Sequence, residues 1–141
     1  MKDPQSITEK EKRPLLDRAF LKTLRERMPA PQEPQAVVLP GAHTLKGPIR
    51  TLQFGEGRFL RAFVDWMFQR VNDAGLDLGR VAVVQPIAKG RSQDLAAQDG
   101  LFTVALQGPA PGDTGEGGDA LVDTAYVVGS VARSLSAYAH W

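Results

Sequence analysis

The sequence has no cysteine, which excludes disulfides, thiolate nucleophiles and cysteine-ligated metal sites together. Its 17 basic and 16 acidic residues leave a formal net charge of +1, too little to attract nucleic acid or an anionic membrane over long range. No apolar run approaches the length of a membrane span, and the charged first residues lack the apolar core of a signal peptide. These absences predict a cytoplasmic protein whose partner is a small molecule, with no nucleic-acid or membrane partner.

Several catalytic patterns are missing as well. His43 and His140 have no neighbours at metal-ligand spacing, so no metal site is expected. The serines lack the Gly-x-Ser-x-Gly elbow, and no Walker lysine pattern occurs. Hydrolase and phosphate-loop NTPase chemistry are therefore disfavoured.

The first part of the chain divides into a helix and a proline-rich stretch. Apolar residues recur at helical spacing over residues 14–28, which predicts a short amphipathic helix. Prolines scattered over residues 29–48 are expected to interrupt regular structure, so this stretch reads as a linker or a wrapping segment. We therefore divide the chain into residues 1–48 and an ordered domain of residues 49–141.

The ordered domain opens with a strand, a glycine turn and a helix. Residues 49–54 read as the strand, Gly55 and Gly57 form the turn, and a helix runs from Arg58 to a cap at Gly75. Its predicted core stripe comprises Leu60, Phe63, Val64, Met67, Phe68 and Val71, with Trp66 beside it. Asp65 and Asp73 are expected to be solvated or to cap helices rather than to form a catalytic carboxylate pair.

A second strand follows this helix. The continuous apolar run in residues 80–85 is typical of a strand buried on both faces, which completes a βαβ unit. Residues 92–98 predict a helical turn, and residues 101–106 and 121–128 predict a hairpin across a glycine-rich loop. Residues 134–138 suggest the start of another helix. The fold class is α/β: a partial Rossmann-type nucleotide-binding domain with a βαβ unit and a β-hairpin, preceded by a short helix and the proline-rich segment.

The glycine turn has the chemistry of a phosphate-binding corner. The first N–H groups of a helix and its dipole hold a pyrophosphate when the backbone can approach closely. Gly55 would allow the tight turn and Gly57 the close approach, while Arg58 and Arg61 would add positive charge. Glu56 is expected to turn away from phosphate and to bond backbone amides.

Two positions depart from the dinucleotide-binding pattern. Leu60 stands where the fingerprint has glycine or alanine, so the helix should lie slightly farther from the strand. The acidic residue expected at the end of the second strand is absent, and Gln85 takes its neighbourhood. A glutamine can bond a ribose hydroxyl but does not repel a 2′-phosphate, so the choice between NAD and NADP stays open.

Three segments carry a family resemblance. The run at residues 53–66, QFGEGRFLRAFVDW, resembles the motif of tagaturonate reductases (altronate oxidoreductases), in the polyol-specific long-chain dehydrogenase group that includes mannitol dehydrogenase and fructuronate reductase. Residues 83–87 look like that family's second strand. Residues 98–103 resemble its Gln-Asp-Gly-Leu-Tyr-Thr segment, with Phe102 in place of tyrosine. The match covers residues 49–137.

The resemblance implies NAD as cofactor and a sugar acid or polyol as substrate, with hydride transfer between tagaturonate and altronate. Arg58 departs from the family's usual asparagine. The family's catalytic lysine, asparagine and histidine belong to a C-terminal domain, so no residue here is expected to be catalytic and the chain alone is expected to be inactive. The candidate cofactor-binding residues are Gln53, Phe54, Gly55, Glu56, Gly57, Arg58, Phe59, Leu60, Arg61 and Gln85.

Three alternatives remain open from the sequence. The chain could be a mannitol or fructuronate reductase type within the same group, or a fragment that does not catalyse. A methyltransferase binding S-adenosylmethionine is less favoured, because Gln53 and Phe59 stand where that class has an acidic residue and a third glycine.

Overall fold

The computed structural model describes residues 14–28, 37–109 and 121–136, which form two three-stranded sheets with four helical elements. The parallel sheet comprises β2 (Ile49–Phe54), β3 (Arg80–Gln85) and β6 (Val131–Ser136), in the order β2-β3-β6. The second sheet comprises β1 (Val37–Val38), β5 (Leu121–Val128) and β4 (Phe102–Pro109), in that order. The helices are α1 (Arg18–Arg27), α2 (Ala42–Lys46), α3 (Trp66–Asp73), which a π-helical segment (Leu60–Asp65) precedes, and α4 (Ser92–Ala97).

Strand β3 is the centre of the parallel sheet. Val81 and Val83 are fully buried, as expected for a strand that has helices or sheets on both faces. They belong to a core cluster that also contains Leu95 of α4, Phe102 of β4 and Val131 of β6. The predicted strand, buried on both faces and completing a βαβ unit, is confirmed.

The predicted β-hairpin is present in the second sheet. Strand β4 pairs antiparallel with β5, with Phe102 opposite Val128 and Pro109 opposite Leu121. Strand β1 adds to the other edge of β5 in parallel orientation. The hairpin therefore also contacts a segment from the proline-rich stretch.

Part of the proline-rich stretch is regular, contrary to the sequence prediction. Strand β1 and helix α2 both lie within it, while residues 29–36 lie outside the described residues. Asp73, at the end of α3, accepts hydrogen bonds from the Gly41 N–H (2.8 Å) and from Thr44 Oγ1 (2.6 Å). This carboxylate caps the beginning of α2 from a distant part of the sequence, which local composition could not reveal.

The first helix packs on the ordered domain. Leu21 of α1 is buried with Leu101 and Val127, and the Asp17 side chain caps the helix by accepting from the Phe20 N–H at 2.8 Å. The helix itself is shorter than predicted. This packing favours the wrapping interpretation of residues 29–48, and the division at residue 48 stays a prediction.

The helix after the glycine turn begins irregularly. The π-helical segment continues directly into α3, which ends at Asp73. Gly75 then adopts a φ of +88° and donates to the Asn72 carbonyl at 3.0 Å, so the predicted glycine cap is confirmed.

The buried face of this helix differs from the predicted apolar stripe. Asp65, Gln69 and Asn72 are buried, whereas Phe63 and Met67 are 53% and 45% exposed. A π-helical opening shifts later side chains around the axis relative to an uninterrupted α-helix. The buried polar groups also bond backbone from other elements: Asn72, for example, bonds both Leu78 N–H and Gly79 C=O. The core assignment of Phe63 and Met67 was therefore wrong.

Gln69 joins α3 to the turn between β5 and β6. Its Nε2 donates to the Val127 carbonyl at 2.9 Å, and its Oε1 accepts from the Gly129 N–H at 2.6 Å. We expect Gln69→Leu, which keeps the volume but removes both bonds, to lower the free energy of unfolding by about 2 kcal/mol. Urea denaturation measures this change. The exposed Gln93→Leu is the control and should shift stability by less than about 0.5 kcal/mol; equal effects of the two variants would contradict the bridging role.

The last described strand corrects another prediction. Residues 134–136 belong to β6, not to a helix, because β6 pairs in parallel with the buried strand β3. Ala137 and Tyr138 lie outside the described residues. Tertiary pairing outweighs the weak local preference of this polar segment.

One edge of the parallel sheet is open in the described part of the chain. There β2 pairs only with β3, and its Leu52 and Phe54 side chains are 57% and 68% exposed. Parallel sheets are generally covered on both faces. The candidate site thus lies at the end of an edge strand that has apolar side chains at its surface.

Candidate functional site

The turn between β2 and the helix has the tight geometry that was predicted at its first glycine. Gly55 adopts a φ of +115°, and its N–H extends the sheet by donating to the Val84 carbonyl at 2.8 Å. The Leu60 Cδ1 atom lies 3.0 Å from where a Cβ of residue 55 would be. Leu60, which replaces the third glycine of the fingerprint, therefore packs over Gly55. The absence of a side chain at Gly55 leaves room for the leucine.

The second glycine faces open space. Apart from its chain neighbours, no atom of the described residues lies within 4 Å of where a Cβ of Gly57 would be. The helix begins here, since the Arg61 N–H donates to the Gly57 carbonyl at 3.1 Å, so the N–H groups just before Arg61 have no partner within the helix. An accessible backbone at a helix start fits the approach of a phosphate group.

Glu56 turns away from this open space, as the sequence predicted. It is only 8% exposed, and its Oε1 accepts from the Arg91 N–H at 3.0 Å. The carboxylate thus accepts a hydrogen bond from a backbone amide of the loop that follows β3. Its negative charge points away from the place where a phosphate would approach.

Gln53 supports the turn from the interior of the protein. Its Nε2 donates to the Gly55 carbonyl at 3.0 Å and approaches Asp65 Oδ2 at 3.4 Å. Gln53 is 9% exposed, so it acts on the turn from inside the protein. The structure places it as a support for the glycine corner.

Asp65 is an acidic side chain in the interior, and the prediction that it is solvated was wrong. It is fully buried, and burial raises the pKa of Asp65 to about 6, against the opposing hydrogen bond from Gln53 and the charge of Arg61. Its backbone carbonyl accepts from Ser130 Oγ at 2.7 Å, which ties the helix to the start of β6. Asp65, Gln69 and Asn72 share one helix face, at i, i+4 and i+7, but their polar character gave no sign in the sequence that this face is buried.

The two arginines of the motif differ in environment. Arg58 is exposed, whereas Arg61 is half-buried with its guanidinium 5.6 Å from the centre of the Phe102 ring. A depression of about 320 Å³ lies between the helix start and β4; it is lined by Arg58, Arg61, Ala62, Phe102, Thr103, Val104 and Ala105. Both arginines therefore border one concave surface beside the glycine turn.

The remaining candidate residues lie on the surface or within a loop. Phe54 and Phe59 are 68% and 72% exposed, and Phe59 stacks on Phe63 with ring centres 5.5 Å apart. Gln85 is buried at the end of β3, where its amide bonds the following loop. The roles of all ten candidates toward a cofactor stay predictions.

The described residues contain no group of three metal-ligating side chains. None of the helices within residues 14–28, 37–109 and 121–136 is long and apolar enough to cross a membrane. No family model matches the sequence.

Individual proteins do match. An altronate oxidoreductase of Halalkalibacterium halodurans is 44% identical over 95 residues, which are 67% of this chain and 17% of that protein. An altronate oxidoreductase of Klebsiella pneumoniae (strain 342) is 45% identical over 93 residues, 65% of this chain and 18% of that protein. This chain is homologous to altronate oxidoreductases. The homology confirms the resemblance inferred from the motifs, and the chain spans less than a fifth of these relatives' length.

Solved structures agree with this homology. Mannitol 2-dehydrogenase of Pseudomonas fluorescens, in a ternary complex with NAD and D-mannitol, has a TM-score of 0.63 at 25% identity and covers 86% of this chain and 21% of its own. A D-sorbitol dehydrogenase in substrate-free form has a TM-score of 0.52 at 23% identity, covering 74% of this chain and 20% of its own. The Rossmann-type α/β fold predicted from the sequence is confirmed.

Proposed function

We propose that this chain forms the cofactor-binding part of an NAD-dependent oxidoreductase that interconverts tagaturonate and altronate by hydride transfer. The observation that carries the proposal is the turn at Gly55 and Gly57, which presents open backbone at a helix start and turns the Glu56 carboxylate inward. The homology to altronate oxidoreductases supports the substrate, and the NAD complex of the mannitol dehydrogenase supports the cofactor.

The residues of the corner fit a dinucleotide. The backbone around Gly57 would hold the pyrophosphate, and Arg58 and Arg61 would balance its charge. Gln53 would keep the turn in place through its bond to the Gly55 carbonyl. When bound, the nicotinamide ring would carry the hydride, and these residues bind and orient rather than react.

The substrate assignment is the finer part of the proposal. The identity to altronate oxidoreductases is 35–45%, against 25% to the mannitol dehydrogenase, which favours a sugar acid over a polyol. We further propose a cytoplasmic location and no nucleic-acid or membrane partner, in line with the near-neutral charge.

Binding of NADH to the purified chain tests the proposal. Gly57→Val would place an isopropyl group in the open space at the helix start, and we expect it to weaken NADH binding at least tenfold, about 1.4 kcal/mol. Fluorescence titration measures the dissociation constant.

A matched variant separates this effect from damage to the fold. Gly108→Val adds the same group at a second glycine, within β4, whose Cβ position is also clear of the side chains that the structure describes. It should leave NADH affinity within about twofold, which is about 0.4 kcal/mol. A folded wild-type chain that binds S-adenosylmethionine but not NADH, or a Gly57→Val variant that binds NADH as well as wild type, would refute the proposed corner.

A further inference from the structure

The loop of residues 86–91 after β3 is fastened at both ends by one side chain. Gln85 Nε2 donates to the Ile87 carbonyl at 2.5 Å and approaches the Ala88 carbonyl at 3.4 Å, while its Oε1 accepts from the Ser92 N–H at 3.1 Å. Gln85 is 4% exposed. Its amide is therefore already satisfied by the backbone of its own loop.

A second side chain connects this loop to the glycine turn. Glu56 lies between the two glycines of the turn, and its buried Oε1 accepts from the Arg91 N–H at 3.0 Å. A carboxylate that accepts from a backbone amide forms one of the stronger hydrogen bonds available to a protein. The turn after β2 and the loop after β3 thus hold each other in position.

Gly90 permits this contact. A Cβ at position 90 would overlap both Glu56 Oε1 and Gln85 Oε1, so the loop backbone lies directly against the two side chains. Only glycine lacks the atom that would force them apart. Glu56, Gln85 and Gly90 therefore form one packed cluster, which we call the loop clasp.

The loop clasp lies at the place where a dinucleotide-binding fold binds the adenosine ribose. Strands β2 and β3 are parallel, so the glycine turn and the loop both follow the carboxyl ends of their strands. Ligands of open α/β sheets bind at this end of the sheet. In that fold a free acidic side chain at the end of the second strand bonds the ribose hydroxyls. Here Gln85 takes that neighbourhood, and its hydrogen-bonding groups are directed into the loop.

We propose that Glu56 and Gln85 are positioning residues, which hold the loop of residues 86–91 in the place where this fold receives the adenosine ribose of the cofactor. The proposal rests on the proposed function for its ligand. The ribose contact is made by the loop itself, and the side chains of the clasp act through it. A disturbed clasp therefore weakens cofactor binding although none of its side chains touches the cofactor.

Glu56 variants test this proposal. Glu56→Ala removes the acceptor for the Arg91 N–H, so we expect NADH to bind at least tenfold more weakly and the Arg91 amide to exchange its hydrogen faster. Glu56→Gln keeps a carbonyl oxygen at the same place and should restore NADH affinity to within about threefold, or 0.7 kcal/mol. Titration and amide hydrogen exchange give the two readouts.

Arg91→Ala is the control at the other end of the same bond. It removes the side chain, which pairs with Asp94 at 3.3 Å, but keeps the backbone N–H that Glu56 binds. The amide of residue 91 should therefore stay as protected as in wild type.

The other outcomes of these titrations would contradict the positioning role or the proposed function. Wild-type affinity in Glu56→Ala, or equally weak binding in Glu56→Gln and Glu56→Ala, would overturn the positioning role. A wild-type chain that does not bind NADH would overturn the proposed function and the ribose contact together, and amide exchange in the free protein would then still decide whether Glu56 holds the loop.

Discussion

Gly100→Ala is expected to destabilise the protein by about 4 kcal/mol. Gly100 adopts a φ of +78°, where a non-glycine residue is strained. A Cβ at this position would also overlap the Val131 carbonyl oxygen. Val131 begins β6, which pairs with the buried strand β3, so the backbone in the way cannot move without breaking the parallel sheet.

Gly75→Ala separates the backbone strain at a positive φ from the overlap with the Val131 carbonyl oxygen. Gly75 adopts a similar φ of +88°, but within the described part of the chain nothing beyond its sequence neighbours lies within 4 Å of its Cβ position. It should therefore show only the backbone strain, about 1 kcal/mol. Urea denaturation of both variants measures the difference, and equal losses of unfolding free energy would show that the overlap with Val131 has no cost.

Local pattern was sufficient for the elements that form the glycine corner. The strand of residues 49–54, the turn at Gly55 and the buried strand of residues 80–85 all appear where the sequence predicts them. The turn depends on a residue that tolerates a positive φ and the buried strand on a continuous apolar run, and both are properties of neighbouring residues. The orientation of Glu56 was also predictable, since a carboxylate beside a phosphate site is unfavourable.

The buried polar residues were not predictable in the same way. Gln69 and Asn72 lie inside because they bond backbone groups in β5 and in the loop before β3, far away in the sequence or in another element. An apolar periodicity rule assigns such residues to solvent. Their place is decided by which backbone groups need a partner, and that is known only once the sheets are assembled.

Helix caps and strand pairs between residues far apart in the sequence account for the other differences between the predicted and the observed elements. Helix α2 begins where Asp73 accepts from Gly41 and Thr44, and β6 is a strand because it lies beside β3. Gly90 gave no signal either, since its φ is ordinary and its role arises from Glu56 and Gln85 packing against it. In each case the deciding partner is distant in the sequence.

Asp65→Asn is expected to stabilise the protein by about 3 kcal/mol at pH 8 and to have little effect at pH 4. The pKa of Asp65 is raised from 3.8 to about 6 in the folded state because the carboxyl is buried. Between these values the folded protein binds more protons than the unfolded chain, so the unfolding free energy falls as the pH rises. The penalty for the buried charge is complete above about pH 6, and a neutral amide avoids it.

The measurement is the difference in unfolding free energy between Asp65→Asn and wild type, taken by urea denaturation at intervals from pH 4 to pH 8. Taking the difference cancels every group that titrates equally in both proteins. Asp94→Asn is the control: Asp94 is exposed and pairs with Arg91 at the surface, so its removal should change stability by less than about 1 kcal/mol at any pH. A difference for Asp65→Asn that stays constant with pH would mean that folding does not raise the pKa of Asp65, because Gln53 and Arg61 offset its burial fully.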